Sequence, residues 1–144
     1  MECGECTLCC LDLNIPDTNS KEGELCQYCN KNVGCKIYDY RPECCKVFEC
    51  CWKQTDGAHI DLRPDNCGVL FEKWTDNVIV GSLENLVSDL VLRQISYFKS
   101  EGISVVLVNQ NEKSRTFYLA GRHTIKYVEG EIINRWQSQV IQKI

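Results

Sequence analysis

The chain has 144 residues, a formal net charge of -4, and hydrophobic and charged fractions of 44% and 25%. It can therefore bury a core without using its cysteines as staples for a tiny fold. The acidic balance, with scattered lysines and arginines and no basic run, argues against a nucleic-acid partner, whose binding rests on phosphate neutralisation. No apolar run reaches membrane-spanning length, the stretches Val78 to Val80 and Ile103 to Val108 being strand-sized, so no membrane partner is expected.

All 12 cysteines fall between Cys3 and Cys67. The chain opens on Cys3-Gly4-Glu5-Cys6-Thr7-Leu8-Cys9-Cys10, preceded by neither a basic nor an apolar leader. That predicts a cytoplasmic protein whose thiols stay reduced. Ile15-Pro16-Asp17 and Thr18-Asn19-Ser20 read as turns, and 30–34 as a loop after Cys26-Gln27-Tyr28-Cys29. Asp39 to Pro42 reads as a short helical turn stopped by its proline. This half is punctuated rather than periodic, so bound metal is expected to hold it in place of a continuous apolar core.

The second half differs. Asn77 to Gly81 reads as a short strand, and Ser82 as an N-cap with Glu84 in the first turn. Leu83, Leu86, Val87, Leu90, Val91, Ile95 and Phe98 keep helical spacing, and Gly102 is a natural stop. Ile103 to Val108 and Thr116 to Ala120 read as strands of a hairpin around the polar turn 109–115. Ile132, Ile133, Trp136, Val140 and Ile141 mark a final helix with one apolar face. The expected class is α+β. A loop-rich, metal-stabilised cysteine-cluster half spans 1–75, and a small β-α-β-β-α half spans 76–144. The composition shifts near Trp74 without any linker chemistry, so the two halves are expected to pack as one unit.

Thiolates are the natural ligands of zinc and of iron–sulfur clusters. Two cysteines separated by two residues can reach one ion from a tight turn, and Cys3/Cys6, Cys6/Cys9 and Cys26/Cys29 have that spacing. Cys29/Cys35 and Cys45/Cys50 are looser pairs that still suit a loop closing on an ion. One tetrahedral ion takes four ligands, so this many donors implies several ions or a polynuclear centre. A disulfide framework is the competing reading; the absent leader and the adjacent pairs argue against it. In Cys9-Cys10 both members are expected to ligate, whereas Cys44 and Cys51 read equally well as buried or free thiols. His59 reads as a surface or hydrogen-bonded residue before a ligand, and His123 is weaker still. Asp12 and Asp65 lie near cysteines, but carboxylates compete poorly for a thiolate-rich site. Arg41 either offsets thiolate charge or forms an ordinary salt bridge. Tyr38, Phe48 and Trp52 are expected to pack around the site.

The run Cys3-x-x-Cys6-x-x-Cys9-Cys10, followed by Gly34-Cys35-x-Ile37-Tyr38-x-x-Arg41-Pro42-x-x-Cys45-Lys46-x-Phe48-x-Cys50, resembles the YkgJ-type zinc- or iron-chelating cysteine-cluster family of bacteria and their phages. Cys26-x-x-Cys29 and Arg63-Pro64-Asp65-Asn66-Cys67-Gly68 resemble one branch of it. The resemblance covers the first half, and it implies that the cysteines are metal ligands. Lys46 stands where that family usually has arginine, and Cys44 and Cys51 are extra to its pattern.

The sequence carries no glycine-rich phosphate loop, no zinc-protease motif and no nucleophile–base pair, so a non-enzymatic protein is favoured. The expected function is a structural or storage centre holding zinc, the alternative being an iron or iron–sulfur redox protein or enzyme. Metal delivery or sensing is a second alternative. The ligands assigned are Cys3, Cys6, Cys9, Cys10, Cys26, Cys29, Cys35, Cys45, Cys50 and Cys67. The partners are metal ions, with a protein partner met through the C-terminal half.

Overall fold

The computed structural model describes residues 3–83, 86–109, 111–122 and 124–128. Contacts divide the chain into two units, Met1–Leu70 and Phe71–Ile144. Helices and strands are both present, and the class is α+β.

The first unit is built of single turns. Its helices are α1 (Cys9–Asp12), α2 (Glu43–Val47), α3 (Cys51–Gln54) and α4 (Pro64–Cys67). A two-stranded antiparallel ribbon, β1 (Cys29–Asn30) and β2 (Gly34–Cys35), lies between α1 and α2. Proline opens two of the turns. Pro16 starts the 3₁₀ turn Pro16–Thr18 and Pro64 starts α4, each at a position whose amide would be unsatisfied anyway. The expected turn before Pro42 is the 3₁₀ turn Tyr38–Tyr40. No long apolar face exists here, and cross-links between segments do the joining. The Cys26 amide donates to the Cys10 carbonyl at 2.8 Å and the Gly23 amide to Leu11 at 2.8 Å. The Asn32 amide donates to the Thr7 hydroxyl at 3.0 Å.

Five strands form one sheet in the order β3-β4-β5-β6-β7, namely Val69–Thr75, Val78–Leu83, Ser104–Asn109, Ser114–Tyr118 and Ile125–Val128. β4 and β5 are parallel, joined by α5 (Asp89–Ser100), while β5–β6 and β6–β7 are antiparallel. Parallel neighbours need such a crossover. Val78, Val106, Phe117 and Leu119 form a buried cluster, with Val80 and Val108 packed against it. Val91 and Ile95 are the buried residues of α5, which contacts β5.

The helix begins later than the sequence suggests. Ser82 and Leu83 belong to β4, paired with Val108 and Asn109, and Leu83 is buried. Ser88 is the actual cap, its hydroxyl accepting the Val91 amide at 3.3 Å. Ladder bonds to β5 outweigh the helical spacing of Leu83 and Leu86, and Leu86 is left 86% exposed. Gly102 does end the helix. Its φ is 77°, its amide reaches the Lys99 carbonyl, and the Ile103 amide reaches Phe98. That pair of bonds is the Schellman pattern. β3 lies wholly before the boundary expected at 75/76, and neither it nor β7 was anticipated. The expected final helix over 132–141 lies outside the described residues.

Ile95→Ala is expected to cost about 2–5 kcal/mol through the cavity it leaves, and Ser88→Ala about 1 kcal/mol. Leu86→Ala should stay within about 0.5 kcal/mol. Urea titration of the three variants reads this, and a loss at Leu86 matching that at Ile95 would favour the longer helix.

Candidate metal centre

Each cysteine segment is shaped by a tight turn. Gly4 has φ 58°, which lets the Cys6 amide return to the Cys3 carbonyl at 3.1 Å. A Cβ on Gly4 would also stand 3.1 Å from Arg63 Nη1. Cys9 and Cys10 open α1, where successive side chains diverge by about 100°. The Cys29 amide closes Cys26-x-x-Cys29 by donating to the Cys26 carbonyl at 2.9 Å, and Cys35 pairs with Cys29 across the β1–β2 ribbon. Cys44 and Cys45 lie on α2, and Cys50 caps α3.

These turns place Cys3, Cys6, Cys9, Cys10, Cys26, Cys35, Cys45 and Cys50 around one cavity of about 140 Å³, room for more than one water-sized body. Leu13, Ile15, Ile37, Phe48 and Leu70 supply much of the remaining wall, and Arg41 and Lys53 bring two cations to it. All twelve cysteines are free thiols. As they stand, they surround the cavity without closing on a point. Among the described residues no group of three or more His, Cys, Asp or Glu side chains is placed to hold a metal ion. The donor set is nonetheless one that suits soft metals.

The remaining assigned residues lie off this wall. Cys29 is buried and within hydrogen-bonding contact of Cys10. Cys67, on α4, has its sulfur 3.5 Å from the Leu62 carbonyl and 3.4 Å from that of Val69. Cys44 is exposed and Cys51 half-buried, and neither lines the cavity. His59 is exposed; its Nδ1 accepts the Asp61 amide at 3.2 Å and lies 3.3 Å from the Asp61 carboxylate. His123 lies outside the described residues. Asp65 is held by Arg63 in a bidentate pair at 2.6 and 2.7 Å. Tyr38 and Phe48 line the cavity, whereas Trp52 does not.

Burial dominates the ionisation of the thiols. It pushes Cys6 up to about 11, although the Leu8 and Asp65 amides donate to its sulfur. It also raises Cys3, where Lys53 acts in opposition, and it raises Cys45, Cys50 and Cys67. Two thiols go the other way. The Cys10 thiol donates to Cys9 and holds it below the ordinary thiol range; that same contact, together with burial, raises Cys10. At Cys26, whose thiol donates to the Thr18 hydroxyl at 3.7 Å, burial acts upward, but contacts with Ser20, Thr18 and nearby amides outweigh it. The sequence marks Thr18 and Ser20 only as turn residues and gives Lys53 no role at the site, although it lies three residues after Cys50.

Comparison with family models, with curated proteins and with solved structures gives no match.

In reduced protein stripped of metal, Cys9 should react with iodoacetamide at lower pH than Cys6, because the thiolate is the nucleophile. Peptide mass mapping across a pH series reads the order. Earlier reaction at Cys6 would contradict the Cys9–Cys10 hydrogen bond.

Proposed function

We propose that the first unit is a metal-binding module that holds zinc in a multi-cysteine, polynuclear or multi-site cluster with a structural or storage role, in the reducing cytoplasm. What supports this reading is the enclosure of one cavity by eight thiols drawn from separate segments, with two cations beside them. The resemblance of residues 3–10 and 34–50 to the YkgJ-type cysteine-cluster family points the same way. Cys3, Cys6, Cys9, Cys10, Cys26, Cys35, Cys45 and Cys50 would be the ligands from the wall. Cys29 joins through its contact with Cys10, and Cys67 by turning from the two carbonyls it now meets. When bound, zinc supplies closed thiolate coordination that cross-links the turns and leaves no open position for a substrate.

The protein's own part is to gather thiols, among which burial keeps Cys3, Cys6, Cys45, Cys50 and Cys67 protonated. Binding must therefore displace protons, so affinity falls as pH falls. An iron or iron–sulfur centre is the second reading. It is favoured by the apolar wall of Leu13, Ile15, Ile37, Phe48 and Leu70, which would exclude solvent and tune a potential.

Elemental analysis and an absorption spectrum of protein purified without oxygen test both. Zinc in a whole-number ratio without colour supports the first reading, iron with charge-transfer bands supports the second, and absence of both metals contradicts the two together. Cys9→Ser and Cys35→Ser should lower metal stoichiometry while Cys51→Ser changes it little; unchanged content in the first two would contradict the ligand assignment. Chelation should unfold the first unit, measured as loss of amide-exchange protection over 3–67.

A further inference from the structure

Two cations line the thiol cavity, and they are committed differently. Lys53 Nζ lies 3.6 Å from the Glu49 carboxylate, one helical turn away, so its charge already has a counter-ion. Arg41 forms no salt bridge with a carboxylate among the described residues. Its guanidinium carbon stands over the Tyr38 ring, 3.7 Å from the centroid, a cation–π contact that holds the group against the ring. Its Nε is buried and has no hydrogen-bond partner. A buried donor left unmade costs about 1–3 kcal/mol, more on a charged group, so this arrangement calls for an anion that completes it.

The thiols that share the cavity wall with Arg41 are the candidates. Cys35 and Cys3 are the cavity cysteines whose charge acts on Arg41. Charge magnitude gives the reason. Each dication held by four thiolates carries about two negative charges, so eight wall thiols around two such ions leave about four. Lys53 is shared with Glu49, and Arg41 is the uncommitted positive charge at the wall.

Building on the metal-binding reading above, we propose that Arg41 is the charge-compensating residue of the centre, its Nε–H donating to a metal-bound thiolate of Cys35 or Cys3 while Tyr38 holds the guanidinium against its ring. It is a positioning residue, acting on the metal through its ligands. The role is electrostatic and directional, and it separates Arg41 from a merely structural arginine.

The test is competition for zinc between the full chain and a chromophoric chelator, with cobalt as a spectroscopic stand-in. Arg41→Gln is expected to keep the zinc stoichiometry and to weaken affinity about tenfold or more, the usual cost of losing a partner to a metal ligand. It should also shift the sulfur-to-cobalt charge-transfer bands. Arg41→Lys, which keeps the charge without the planar fork, should recover part of the affinity. Tyr38→Leu, which leaves the guanidinium but removes its platform, should fall between wild type and Arg41→Gln. Wild-type affinity and bands in Arg41→Gln would overturn the inference while leaving the metal-binding reading intact. Equal losses in the glutamine and lysine variants would also overturn it, since charge would then not be the cause. A wild-type chain that takes up neither zinc nor cobalt would instead remove the reading on which the inference rests.

Discussion

The first unit depends on a small set of hydrogen bonds that tie its opening turn to the loop that follows. The Cys26 amide rests on the Cys10 carbonyl, and the Asn32 amide rests on the Thr7 hydroxyl across twenty-five residues of sequence. Without them the Cys3–Cys10 segment and the Cys26–Cys35 segment would have no common frame, because the helices on either side are a single turn long. Helices this short do not hold themselves together. The frame therefore comes from bonds between loops, and the thiols are carried on it. Thr7 is buried for this reason, although its residue type is mostly found at the surface.

On that frame two opposing demands meet. Burying sulfur is inexpensive while the thiol is neutral, and burial pushes Cys3, Cys6, Cys45 and Cys50 toward that form. Binding a metal requires the opposite charge state. The chain answers locally: Cys10 donates to Cys9, Ser20 and Thr18 serve Cys26, and amides of Leu8 and Asp65 serve Cys6. Hydrogen bonds to an ionised sulfur and nearby cations are the two means available in a low-dielectric wall. Both are present around these thiols, Arg41 and Lys53 being the cations on the wall.

The sequence made parts of this legible and hid others. Cys-x-x-Cys spacing and the prolines at 16, 42 and 64 locate turns because their constraints are local. The α+β class and the Gly102 stop follow from equally local patterns. The start of α5 was misjudged because Leu83 and Leu86 satisfy helical spacing while the strand pairing of Leu83 with Asn109 depends on a partner more than twenty residues away. β3 escaped notice for a similar reason. Its outer half, Glu72 to Thr75, is exposed and shows no buried alternation. At the site, the spacing indicates which cysteines can share a turn. It cannot show that Cys67 faces the Leu62 and Val69 carbonyls, or that Arg41 lies on Tyr38. Those are products of side-chain packing, not of register along the chain.

The Cys44–Cys45 step on α2 has a practical consequence. Adjacent positions on a helix look out in directions about 100° apart, so one residue lines the cavity while its neighbour is the single exposed cysteine of the twelve. The molecule thus carries a chemical handle one peptide bond from its interior. A maleimide-borne fluorophore attached at Cys44 would be rooted in the same turn as Cys45, and rearrangement of that turn would alter its surroundings. The protein is in this sense addressable from outside, at a place where little separates the label from the chemistry it would report.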